Sequence, residues 1–151
     1  MKLKALILMV LVAIGITLTS NAYAADGMEK EILELVNKYR QKKKLPPLEY
    51  DKSIAKAAEK HSENMADKRV SFGHGGFDDR IDKLLANIKG ANAAAENVAY
   101  GSKTAEDVVD MWLNSKGHKK NIEGNFNMTG IGIARDKNGR LYYTQIFINR
   151  K

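Results

Sequence analysis

Apolar residues recur at helical spacing through the first two-thirds of the chain and alternate with a two-residue period near its end. Between Glu29 and Lys42, the positions Ile32, Leu33, Val36 and Tyr39 share one face, which predicts a helix. Its acids come early (Glu29, Glu31, Glu34) and its bases late (Arg40, Lys42, Lys43, Lys44), the order a helix dipole favours. Leu45-Pro46-Pro47-Leu48 stops this helix and enforces an extended segment. A second helix is predicted from about Asp51, a good N-cap, to Lys68, with Ile54, Ala57, Ala58, His61 and Met65 inward. The glycine-rich stretch Ser71 to Gly76 reads as a turn before a short third helix that turns Phe77, Ile81, Leu84 and Leu85 inward. Gly90 to Ala95 reads as a loop, and Glu96 to Gly101 as a short strand. Thr104 caps a further helix carrying Val108, Met111 and Trp112 on its apolar face. Gly130 to Arg135 and Leu141 to Ile148 are rich in β-branched and aromatic residues, and Asn138-Gly139 between them marks a hairpin turn. Helices first and a hairpin last predict an α+β fold, with helices covering a small antiparallel sheet.

The first residues follow another rule. Lys2 and Lys4 precede an apolar run from Ala5 to Leu18, and Ala22 and Ala24 form a small-x-small exit. That is the architecture of a secretory signal peptide, too short for a membrane span. Cleavage after Ala24 is expected, leaving 25–151 as a single domain without a stable membrane span. The whole chain has 151 residues, net charge +7 and no cysteine. A disulfide framework, a cysteine zinc site and a cysteine nucleophile are therefore excluded. Export without disulfides points to a bacterial source and to an extracellular, cell-wall or periplasmic location. It also makes nucleic acid a poor explanation for the positive charge.

Three histidines and one glutamate carry the candidate chemistry. His61 lies on the inner face of an alanine-rich helix, where a packed, hydrogen-bonded core histidine is expected. His74 sits between glycines in Phe72-Gly73-His74-Gly75-Gly76-Phe77, where the backbone is free to aim an imidazole at a cleft. Ser115, His118 and Asn121 are spaced by three and share a face if that stretch is helical. Ser115 and His118 at that spacing also admit a nucleophile–base pair, or Ser115 simply caps the turn. Glu96 lies in an apolar stretch, Ala93-Ala94-Ala95-Glu96-Asn97-Val98-Ala99, and a buried carboxylate there needs a partner. Two histidines and a carboxylate are a plausible metal-ligand set.

These segments, taken in order, resemble the CAP superfamily of cysteine-rich secretory proteins, antigen 5 and pathogenesis-related 1 proteins, in its compact bacterial branch. The resemblance runs from about Glu29 to Ile148. It is carried by residues 32–40, Leu45-Pro46-Pro47-Leu48, His61 to Ala66, Gly73 to Phe77 and Ala95 to Ala99. It continues through residues 112–121, Thr129-Gly130-Ile131-Gly132 and Tyr143 to Phe147. It implies an α-β-α sandwich around a small central antiparallel sheet, with a shallow cleft. Many members hold a divalent metal such as zinc with two histidines and two glutamates. Carried over by motif, these are His74, His118 and Glu96. The second glutamate falls on Ser115, so the metal set loses a carboxylate and rests on His74 and His118. Asn121 and Gln145 are expected to add polar groups to the ligand-binding cleft.

Three functions follow. The first is a secreted, non-enzymatic binding module, a monomer acting on an unidentified extracellular ligand, with a weak site for metal or a small molecule. Some eukaryotic members bind sterols or lipids, which makes lipid one ligand class. The second is a metal-dependent hydrolase or peptidase, with Glu96 and His118 as the catalytic candidates and zinc as cofactor. The third is a binder of anionic cell-wall polymer, using the basic clusters Arg40, Lys42, Lys43, Lys44 and Lys116, Lys119, Lys120.

Overall fold

A computed structural model describes residues 27–151. The expected signal peptide, residues 1–24, lies outside the described residues. Helix α1 covers 27–42 and buries Ile32 and Val36. Strand β1 (Glu49–Tyr50) is followed by α2 (Lys52–Ala66), α3 (Phe77–Asn87) and strand β2 (Ala91–Tyr100). Helices α4 (Ala105–Leu113) and α5 (Lys116–Ile122) then lead into strands β3 (Met128–Arg135) and β4 (Leu141–Arg150). Asp51 caps α2 by accepting from the Ser53 and Ile54 amides, and Thr104 caps α4 by accepting from Asp107.

The four strands form one sheet in the order β1-β3-β4-β2. The hairpin β3–β4 and the pair β4–β2 are antiparallel, as expected. Strand β1 corrects the purely antiparallel expectation, because it pairs parallel to β3 through Glu49–Met128 and Tyr50–Thr129. The extended segment after α1 lays two residues along the sheet edge, where the Glu49 amide donates to Asn127 O at 2.9 Å. Strand β2 is also longer than its sequence suggests. Residues 91–95 are strand rather than loop, since pairing along the whole of β4 overrides the weak β-propensity of alanine.

The helices form two layers. On one face α1, α4 and α5 bury Ile32, Val36, Val108, Trp112 and Ile122 against Ile131, Tyr143 and Phe147 of the sheet. On the other, α2 and α3 bury Ile54, Ala58, Ile81 and Leu84 against Met128, Ile146 and Ile148. The α-β-α sandwich is thus present.

Helix α2 approaches β3 unusually closely. A Cβ at Gly130 would stand 2.1 Å from the Ala55 nitrogen, and one at Gly132 would stand 1.9 Å from the Glu59 nitrogen. Ser62 Oγ donates to Gly132 O at 2.9 Å across this seam and lies 2.8 Å from Thr144 Oγ1.

Arg40 does not belong to the surface cluster expected of it. It is 1% exposed and donates to four carbonyls: Pro46 O (2.9 Å), Ile122 O (2.7 Å), Gly124 O (3.0 Å) and Phe126 O (3.0 Å). One of these acceptors, Ile122 O, ends α5 at the negative end of its dipole. Burial lowers the pKa of the guanidinium from its ordinary value.

Because both partners at the α2–β3 seam are backbone, a side chain cannot move aside to make room. Gly132→Ala is expected to cost about 3 kcal/mol of stability, the upper range for overpacking. Urea denaturation of the variant checks this, and an unchanged midpoint rejects the close-approach account.

Candidate functional site

The site grows from three local decisions of the chain. First, the packing of α2 on β3 places His61 under the sheet edge, 2% exposed. Second, the chain leaves α2 and turns through Gly73, whose φ of 135° is a conformation that L side chains rarely adopt. That turn delivers Gly73 O to His61 Nε2 at 2.8 Å and presents His74 to the same place. Third, α3 starts at Gly76 and carries Arg80 at its fourth helical position.

These side chains converge on Glu96 of the edge strand β2. Its residue is 5% exposed, so the carboxylate requires partners. Arg80 Nε donates to Oε2 at 2.9 Å, and Arg80 Nη2 donates to Oε1 at 3.0 Å and lies 2.8 Å from Oε2. The result is a two-pronged guanidinium–carboxylate pair. His74 Nδ1 lies 2.9 Å from Oε1. A carboxylate in such a pair accepts, so Nδ1 carries the proton and Nε2 is the free nitrogen of a side chain 51% exposed. His61 Nε2, donating to Gly73 O, stands 3.9 Å from Glu96 Oε1. Desolvation lowers the His61 pKa. The positive charges of Arg80 and His74 push the same way, while the Gly73 hydrogen bond and the Glu96 charge oppose it.

Hydrogen bonds join only part of the expected cleft set. His74 and Glu96 meet. His118 on α5 makes no hydrogen bond to either; its backbone carbonyl accepts from Asn97 Nδ2 at 3.2 Å, and its Nδ1 is buried without a partner. Burial, then the nearby charge of His74, lowers the His118 pKa. Ser115 is the N-cap residue of α5 but makes no side-chain cap bond and no hydrogen bond to His118. Asn121 Nδ2 reaches the strand that carries the site, donating to the backbone Glu96 O (3.1 Å) and to the side-chain Asn97 Oδ1 (2.9 Å). Gln145 is opposite Asn97 in the sheet register, so its side chain lies on the face away from Glu96. There its Nε2 donates to Thr129 Oγ1 at 3.2 Å, and its Oε1 is buried without a partner.

Arg80 is the residue that the sequence reading missed. A cation near a helix N-terminus opposes the dipole, and that misfit was the available signal. Its presence also decides the fit of a metal. The guanidinium fork and His74 take both oxygens of the one carboxylate in the cluster. Among the described residues, no group of three or more His, Cys, Asp or Glu side chains could hold a metal ion. The expected metal pair, His74 and His118, therefore gains no third ligand from Glu96, whose oxygens are held by Arg80 and His74.

The architecture is an α-β-α sandwich whose edge-strand glutamate is held by a loop histidine and a helix arginine. The sequence model of the cysteine-rich secretory protein family, CAP, matches residues 33–147, and the chain belongs to that family. It is 38% identical over 136 residues to the Bacillus subtilis protein YkwD, covering 89% of this chain and 52% of that one. Among solved structures it resembles an extracellular SCP-domain protein from Bacillus anthracis. That match has 32% identity and a TM-score of 0.71, covering 83% of this chain and 41% of the other. An outer surface protein of Borrelia burgdorferi shares the fold at TM-score 0.70 and 24% identity, covering 81% of this chain and 92% of that one. The chain thus spans about half the length of the Bacillus subtilis relative. Among the described residues, no helix is long and apolar enough to cross a membrane.

Two outcomes follow from the cluster. Both His61 and His118 titrate below their ordinary 6.5 in the folded chain. Below pH 6.5 the unfolded chain therefore takes up protons that the folded one refuses, and stability falls as pH falls. Melting curves between about pH 7.5 and 5 should show this decline, and His61→Gln should flatten it. Millimolar zinc should leave the His74 and His118 ring signals unshifted in NMR spectra. A shift at either ring overturns the poor-fit conclusion.

Proposed function

We propose that the protein is an exported, extracytoplasmic CAP-domain binding module, monomeric and non-enzymatic. The observation that carries this reading is the closure of Glu96. A glutamate that activates water or holds a metal needs a free oxygen facing the reactant. Here Arg80 and His74 occupy both oxygens. Buried polar networks of this kind fix loops to helices without doing chemistry. Two structural neighbours, an extracellular protein of Bacillus anthracis and an outer surface protein of Borrelia burgdorferi, support a location outside the cytoplasm.

One observation favours the hydrolase reading. A carboxylate that holds Nδ1 and leaves Nε2 half-exposed is the arrangement of a general base. Against it, no serine or threonine hydroxyl is hydrogen-bonded to His74 among the described residues. The anionic-polymer reading keeps Lys42, Lys43 and Lys44 and the α5 lysines, and loses Arg40 to the core.

A screen of peptide and ester libraries separates these readings. Wild type, Glu96→Ala and His118→Ala should all lack turnover. Turnover by wild type that either substitution reduces about a hundredfold or more establishes the hydrolase instead.

A further inference from the structure

A groove of about 490 Å³ runs between α2 and α3 on the Glu96 side of the sheet. None of the residues read from the sequence as cleft residues lines it. Its volume lies within the range of pockets that enclose organic ligands.

Three features of the lining define what fits. Lys56 on α2 and Lys83 on α3 face the groove from opposite walls, and neither makes an ion pair among the described residues. Asp79 is the only acid of the lining. The apolar part comes from Ala57, Val70 and Leu84. Asn64 and Asn87 add a carboxamide from each helix. Among the described residues, the Asn87 amide has no hydrogen-bond partner, and that of Asn64 meets only Arg69 Nη1, at 3.3 Å. A carboxamide both donates and accepts, which suits a peptide group. Two ammonium groups suit carboxylates, and Val70 with Leu84 suits a small aliphatic side chain.

We propose that this groove binds a short acidic peptide, with carboxylates at Lys56 and Lys83 and its main chain between Asn64 and Asn87. An inorganic anion would leave the apolar lining and both carboxamides unused. A nucleic-acid strand would bring no aliphatic side chain to Val70 and Leu84, and would carry a phosphate at every nucleotide past Asp79. Arg80 also lines the groove, and its Nη1 makes only two long bonds, to Gly75 O (3.3 Å) and Gly76 O (3.2 Å). The peptide site therefore shares a residue with the Glu96 cluster. This inference rests on the binding-module reading and gives it a ligand class.

The test is an NMR titration with the tripeptide alanyl-glutamyl-alanine. The amide signals of Lys56, Lys83 and Asn87 should shift first. The double variant Lys56→Glu, Lys83→Glu should bind about tenfold more weakly at unchanged melting temperature, and amidation of the peptide C-terminus should weaken binding several-fold. Unshifted groove signals at millimolar peptide overturn the proposal. So does equal affinity of the double variant, or equal binding of a single-stranded oligonucleotide, which would mark a generic polyanion surface. None of these failures touches the binding-module reading, which falls only to turnover that depends on Glu96 or His118.

Discussion

The approach of α2 to the backbone of β3 sets the rest of the structure. At Gly130 and Gly132 the helix rests on main chain rather than on side chains. That places α2 far enough in for Ser62 to reach Gly132 O and for His61 to stand 3.9 Å from Glu96. A helix held off by one more carbon layer would leave His61 without Gly73 O, and the 71–76 turn without its anchor. Packing here precedes polar geometry: the seam fixes a helix, the helix fixes a histidine, and the histidine fixes a loop.

Electrostatics completes what the seam begins. Glu96 is one carboxylate in a nearly dry place, and the chain meets it with one guanidinium and two imidazoles. The pair is charge-neutral, so the cluster can be buried without a metal ion. A divalent ion added to it would bring positive charge that no second acid in the cluster balances. Asn121, reaching the Glu96 carbonyl from the other side of β2, closes the strand edge as well. The site is thus a junction of α2, α3, α5 and the edge strand.

The legible part of this architecture was the part written in periodicity. The inner faces of α1, α2 and α4 and the Asn-Gly hairpin come directly from spacing. The alanines of β2 were not legible as strand, because their β character comes from pairing with β4 and not from their own preference. Two residues of β1 are too few to show any period. At the site, His74 and Glu96 were legible as a histidine in a flexible turn and an acid in an apolar run. Arg80 was hidden as an ordinary helix cation. Gln145 was misplaced because its alternation in β4 puts it on the other face. Arg40 and its neighbouring lysines look alike in sequence, and only burial separates them.

The cradle around Arg40 has a consequence for the chain's surroundings. One guanidinium ties residue 40 to carbonyls 82, 84 and 86 positions away. Small exported domains commonly fasten such distant segments with covalent sulfur bridges. This cysteine-free chain uses a clasp of guanidinium–carbonyl hydrogen bonds instead. Reductants cannot open it and oxidants cannot scramble it, so the clasp holds equally in reducing and oxidising surroundings.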